Sequence, residues 1–274
     1  MDVEKLHQQV LQNQVRVKTS QAGGSGTIVY SHEGNTYALT CHHVIESAIK
    51  VKSEWDPTLG RERKKEYRQL VSVEFFAWDE VPHGHRPLTY TTDAEIVAYD
   101  KSHDMALLKL RTARMASVAH LLPLEEIPHI RVGSPIVACG CALLHDPILT
   151  KGMVTHMGDE IDHKLYWMGS AQIIFGNSGG SVFAPMAAHG EDRFWFIGIP
   201  SRIDIAGWGS PITHLGYFSP LSRVYEFFGE QLYHFLQPGH SHTELDCKRE
   251  RDQRAEMERR RMTMEQAETD HGDT

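Results

Sequence analysis

The feature that most constrains this chain's fold is its punctuation: apolar residues come in many short runs, several of them alternating with polar residues, separated by segments that hold turn residues. Alternation sends successive side chains to opposite faces of an extended backbone, so each run suits a strand with one face in a core. Val15-Arg16-Val17-Lys18 is the first such run. The glycine-rich Gly23-Gly24-Ser25-Gly26 is expected to break it, and residues 27–30 and 37–40, joined across Glu33-Gly34-Asn35, read as a hairpin. Residues 71–75, 94–99, 105–110, 135–140, 148–155, 181–183 and 194–199 continue the pattern. Many short strands separated by turn residues indicate an all-β sandwich or barrel rather than a doubly wound α/β sheet.

Two segments depart from that style. Over residues 220–236, Leu221, Val224, Tyr225, Phe228, Leu232 and Phe235 recur at spacings of three and four, which predicts an amphipathic helix closing the domain, with Ser219 as its cap. It should stop at Pro238-Gly239. Residues 244–274 are dense in Arg, Glu and Asp and nearly devoid of apolar side chains, the signature of a solvated helix or a disordered tail. Residues 55–68, rich in Lys, Arg and Glu, read as an exposed insertion loop. The expected organisation is an N-terminal extension over 1–14, one domain over 15–236 and a charged tail over 237–274.

Charge and cysteine usage narrow the function classes. A formal charge of −8 gives no general attraction to phosphate backbones, so neither nucleic acid nor an anionic membrane is an expected partner. No run approaches the length of a membrane span, and the polar residues 1–11 lack a secretory apolar core, so an intracellular location is expected. Cys41, Cys139, Cys141 and Cys247 lack the paired spacing of a zinc site and suit buried free thiols, Cys139 and Cys141 on one side of a strand. His83/His85 and His240/His242 sit in loops without a carboxylate or cysteine framework. No metal and no cofactor is expected.

Gly176-Asn177-Ser178-Gly179-Gly180 carries the chemistry. A serine hydroxyl needs a base to take its proton and backbone N–H groups to hold the oxyanion that forms when it attacks a carbonyl. Glycines let the backbone turn tightly enough to present those groups. Thr40-Cys41-His42-His43-Val44 ends a predicted strand where a base could project into a cleft, and Asp100-Lys101-Ser102-His103-Asp104 places an acid at the mouth of another, suited to orienting an imidazole. Each alone says little. Histidine, aspartate and glycine-flanked serine in that order say much more.

Thr40-x-x-His43-Val44, Asp104-Met105-Ala106-Leu107-Leu108-Lys109 and Gly176-Asn177-Ser178-Gly179-Gly180 together resemble the three signature blocks of trypsin-fold serine proteases, closest to the HtrA-like branch. Weaker matches fall in the right order at Gly23-Gly24-Ser25-Gly26-Thr27, at residues 132–140 and 150–154, and at Ile197-Gly198-Ile199. The resemblance spans about residues 10–236. It implies two six-stranded β-barrels facing a cleft, with His43 and Asp104 from the first and Ser178 from the second. It also chooses His43 over His42 and Asp104 over Asp100. The implied roles are nucleophile for Ser178, proton acceptor and donor for His43, orienting carboxylate for Asp104, and an oxyanion hole from the amides of Gly176 and Ser178.

Departures from the family pattern shape the rest of the expectation. Trypsin-type zymogens carry an aspartate before the serine to pair with a released terminal amine; Asn177 has no charge for that, so activation by N-terminal cleavage is not expected. The segment between His43 and Asp104 is long for the HtrA-like branch, and the residues after Leu236 are too few and too polar for a PDZ domain. By resemblance, the pocket for the side chain preceding the scissile bond is formed by Gln172, Ile173 and Ile174 with Gly198, Ile199 and Pro200. None is acidic, so a protein or peptide substrate with an uncharged apolar P1 side chain is expected. Two alternatives stand: an inactive protease fold used for binding, and an esterase built on a Gly-x-Ser-x-Gly elbow. The elbow needs a helix after the serine and the order serine, acid, histidine. Here residues 181–185 read as a strand ended by Pro185, and the acid and histidine come first.

Overall fold

In a computed structural model, residues 2–56, 60–78, 82 and 85–272 are described; His83 and the tip of the predicted insertion at Pro57-Thr58-Leu59 lie outside them. The alternating runs close on themselves twice. The first barrel contains β1 (Gln14–Lys18), β2 (Gly23–His32) and β3 (Asn35–Thr40); after an exposed hairpin of β4 (Ile49–Asp56) and β5 (Arg61–Arg68), it adds β6 (Val71–Ala77), β7 (Leu88–Asp100) and β8 (Met105–Leu110). Its strand order is β1-β2-β3-β8-β7-β6. The second runs through β9 (Pro135–Gly140), β10 (Ile148–Ile161), β11 (Lys164–Gly169), β12 (Ser181–Ala188), β13 (Glu191–Ala206) and β14 (Ser210–Pro220), in the order β10-β11-β14-β13-β12-β9. Closure removes the unpaired edges that open sheets expose. Val15, Val17, Ile28, Leu39, Leu107 and Leu108 of the first barrel and Val137, Val154, Phe183, Phe196 and Phe218 of the second are all fully buried. Each such side chain contributes roughly 1.5–3 kcal/mol relative to exposure.

Several expectations are corrected. Residues 23–26 begin β2 instead of breaking the sheet: a Cβ on Gly24 would lie 2.7 Å from Val44 Cγ2, and one on Gly26 2.8 Å from Val15 Cγ2. These glycines are where the backbone meets packed side chains, not where the chain turns. Pro185 does not end β12, which runs to Ala188. Beyond Phe183 that strand pairs on one side only, with β13, so the missing proline N–H costs no ladder bond. The closing helix α3 spans Leu221–Glu230, preceded by a short α2 (His42–Ile45) and by α1 (Val3–Leu6). It is shorter than its periodicity implies because Leu232 takes a left-handed turn (φ 57°), after which Phe235 and Leu236 still reach the core from a separate turn. Ser219 is buried in β14, opposite Ile199, and the cap position falls to Pro220, which offers no side-chain bond. The insertion is a hairpin rather than a loop; its backbone ladder needs no apolar alternation, so the residues themselves carry no sign of it.

The ends of the chain pack as well. Asp2 accepts from the amides of Glu4 and Lys5 to start α1, and Leu6, Val10 and Leu11 are buried. At the other end, α4 (Glu244–Gly272) is anchored by its first turns: Glu244 accepts from Tyr37 at 2.6 Å and pairs with Lys109 at 3.1 Å, Cys247 is buried, and Arg251 lies 3.9 Å over the Tyr233 ring.

Candidate active site between the barrels

His43 sits where β3 stops. Thr40 turns its hydroxyl to Ser25 O (2.7 Å), and Cys41, extended and buried, carries the chain into α2. The two histidines then part: His42 packs into the core beside Tyr99, ring centroids 5.2 Å apart, while the His43 side chain is 46% exposed. The two aspartates part similarly. Asp100 uses its carboxylate on the turn, accepting from the amides of Ser102 (2.7 Å) and His103 (3.2 Å). Asp104, last in that turn, adopts a left-handed backbone (φ 57°), which costs roughly 1–2 kcal/mol for a residue with a Cβ. That conformation points its carboxylate, 11% exposed, at His43.

Asp104 is fully engaged. Oδ1 accepts the His43 amide (2.9 Å), and Oδ2 accepts His43 Nδ1 (2.8 Å) and the Ser201 hydroxyl (2.7 Å). Burial would push the carboxyl up, but the hydrogen bond and charge of His43, its amide and Ser201 outweigh it and hold Asp104 below the ordinary carboxylate range. An ionised Asp104 can only accept, so His43 Nδ1 carries the proton and Nε2 is left as the basic nitrogen.

The serine loop follows from its peptide planes. In a trans peptide the C=O and N–H point in opposite directions, so a bound carbonyl fixes the direction of the next amide. Phe175 O accepts from Leu143 N at 2.7 Å, which turns the Gly176 N–H the other way. Asn177 O accepts from Gly180 N at 2.8 Å, which does the same for the Ser178 N–H. The two intervening planes are held at both ends: Gly176 O by Ser25 Oγ (2.6 Å) and the Asn177 amide by Ile174 O (3.0 Å); Ser178 O by Ser25 N (2.8 Å) and the Gly179 amide by Pro200 O (3.0 Å). Among the described residues, the Gly176 and Ser178 amides donate to no protein group. Gly176 (φ 93°) and Gly179 (φ 85°) supply the left-handed turns, and a Cβ on Gly179 would lie 2.9 Å from Thr40 Cα, so the loop touches the strand that carries His43. Among the described residues no hydrogen bond joins Ser178 Oγ to His43, a contact that in ligand-free sites commonly forms only with substrate.

Cys41 Sγ, His43 and the Asp104 carboxylate also lie within 4.8 Å of one another, the spacing of a metal set. Two of those atoms are engaged within the protein: Cys41 directs its thiol at Pro200 O (3.4 Å), and burial pushes that thiol well up, while His43 Nδ1 bonds Asp104.

Of the proposed pocket residues, Gln172 is exposed, Ile174 half-buried and Ile173 buried, its side chain filling the space a Cβ on Gly216 would take. Gly198, Ile199 and Pro200 are buried in β13, and the chain reaches the surface only at Ser201 and Arg202. Sequence reasoning missed Ser25, Ser201 and Leu143. Ser25 stood in a recognised motif without a role; nothing local marks Ser201 or the left-handed Leu143 (φ 51°).

The chain matches the trypsin-like peptidase domain family over residues 24–188. Among solved structures it is similar to the serine endoprotease from Yersinia pestis, with a TM-score of 0.57 and 17% identity over 85% of this chain and 67% of that one, a likeness of fold. No curated protein matches it in sequence. With the family match extending over more than half its length and two six-stranded barrels behind the serine loop, this chain belongs to the trypsin-like peptidases, the serine-dependent hydrolases of peptide bonds.

Proposed function

We propose that the protein is a serine endopeptidase in which Ser178, His43 and Asp104 form the catalytic triad. The observation that carries this reading is the pair of amides on Gly176 and Ser178, set free by carbonyls turned away on either side. Ser178 Oγ attacks the scissile carbonyl while His43 Nε2 takes its proton. The oxyanion forms against the two amides, each such donor contributing roughly 3–4 kcal/mol in the transition state. His43 returns the proton to the leaving amine, water enters, and the same steps in reverse order of partners release the acid. Asp104 stays ionised throughout, holding the tautomer and stabilising the imidazolium.

Local satisfaction of Asn177 supports a loop that needs no freed terminus: buried, it accepts from the Ile174 amide through Oδ1 at 3.0 Å. An uncharged apolar P1 preference is supported by Ile173 closing the slot against Gly216. The single ionic side chain in the segments 172–174 and 198–203 is Arg202, a cation paired with Asp162 at 2.9 Å, which disfavours Lys or Arg. A fluorophosphonate probe should label the wild-type protein at Ser178 and leave Ser178→Ala unlabelled; an unlabelled wild type would favour an inert binding module. In a peptide library, cleavage after Val or Leu should outrun cleavage after Arg, and the reverse order would overturn the specificity.

A further inference from the structure

The oxyanion hole and the base come from different barrels, yet one fully buried residue of the first barrel holds two carbonyls of the serine loop. Ser25, in β2, donates its hydroxyl to Gly176 O at 2.6 Å and its amide to Ser178 O at 2.8 Å, and its hydroxyl in turn accepts from Cys141 N at 2.7 Å. Cys141 leads into the turn Ala142–Leu144, whose Leu143 amide holds Phe175 O. Ser25 Oγ therefore lies between the loop and the turn that orients it, in space that the missing side chain of Gly140 leaves open: a Cβ there would lie 2.8 Å from it.

We infer that Ser25 is a positioning residue for peptide-bond hydrolysis: its hydroxyl fixes the Gly176–Asn177 peptide on one side and, through Cys141 N, the turn whose Leu143 amide orients the Phe175–Gly176 peptide, and so steadies the Gly176 N–H toward the developing oxyanion. The inference rests on the serine-peptidase reading. Without the hydroxyl, Gly176 O loses its donor and Cys141 N its acceptor, so the Gly176–Asn177 plane keeps only the bond from Asn177 N to Ile174 O, and the turn whose Leu143 amide holds Phe175 O loses its tie to the first barrel at Cys141. Looser anchoring of the loop and of that turn lets the Gly176 N–H swing off the oxyanion for part of the time, withdrawing one of two donors. Substrate binding, which does not require the oxyanion, is left nearly alone.

The test uses Ser25→Ala and Ser25→Gly, both of which keep the backbone amide that serves Ser178 O. In the wild type, fluorophosphonate labelling of Ser178 comes first; its failure defeats the peptidase reading and leaves nothing for Ser25 to position. Given labelling, both variants should lose about tenfold to a hundredfold in kcat with KM within about twofold, and bind a peptide aldehyde weaker by the same factor as kcat/KM. The low-field proton resonance of the His43–Asp104 hydrogen bond should persist, since that pair lies in the first barrel and shows the site still folded. Wild-type kcat and aldehyde affinity in a folded variant, or a rise in KM alone, would overturn the inference. Loss of the resonance in both variants would too, because Ser25 would then be a fold determinant.

Discussion

At Asp104 a single residue accepts a strained backbone so that one carboxylate can take three hydrogen bonds, and His43 is oriented as a result. Asp104→Asn keeps the shape but can donate, which favours the wrong imidazole tautomer. A loss of about 10⁴ in kcat with folding retained is expected, measured by steady-state kinetics on a peptide substrate; a loss under tenfold would remove Asp104 from the mechanism. At this scale the sequence was informative about residue type and order, and His43 and Asp104 were separable from His42 and Asp100 only through family resemblance. The structure supplies the physical difference: His42 is packed against Tyr99, and Asp100 is consumed by its own turn. Ser201 and Ser25 were not legible because serines that bond across a cleft carry no local pattern; their partners lie 97 and 151 residues away.

Elements rather than single residues hold the two barrels in register. Arg16 of β1 pairs across the ladder with Glu74 of β6, side chains 10% and 14% exposed, and reaches into the second barrel to Leu144 O (2.8 Å) and Asp146 (3.5 Å). Its guanidinium thus ties the first barrel to the turn that orients the Phe175 carbonyl. Arg16→Ala should lower unfolding free energy by about 3 kcal/mol in urea denaturation, since it strips a buried carboxylate pair of one cation while Lys18 and Arg86 keep their contacts; a change below about 1 kcal/mol would mean the network is ornamental to the fold. The alternation of Val15-Arg16-Val17-Lys18 made β1 legible, and it also hid this role, because Arg16 occupies what the pattern reads as a solvent face. Strand β14 lacks a legible pattern for a related reason: Gly216 interrupts it where the Ile173 side chain needs the space.

Across the whole molecule, acid should act through carboxylates that the fold keeps charged. Arg86 and Arg16 hold the Asp146 carboxyl low; for Glu74 burial pushes upward but the bonds from Lys18 and Arg16 prevail, and Asp104 behaves alike. Each is depressed below its unfolded value of about 3.9–4.3, so the unfolded chain takes up protons first on acidification. His42 and His120, held low by burial, add a gentler decline that begins below about 6.5, where the unfolded chain's histidines take up protons first. Stability should fall more steeply below about pH 5, through the folded carboxylate values, as followed by Tm against pH, and a Tm that rises between pH 5 and 3 would contradict the assignment. The two-barrel plan was legible because three motif blocks and the strand pattern agreed. The packed N-terminus was not, because Leu6, Val10 and Leu11 are too few to show a period and reveal their role only by what they bury against.

Whether Ser178, activated by His43, cleaves peptide bonds is decided by turnover of an unfolded protein substrate, compared between the purified wild type and Ser178→Ala with circular dichroism and Tm matched. Measurable cleavage by the wild type and a loss of about 10⁶ in kcat for the variant are expected; equal cleavage by the two proteins, or none by a folded wild type, would contradict the assignment.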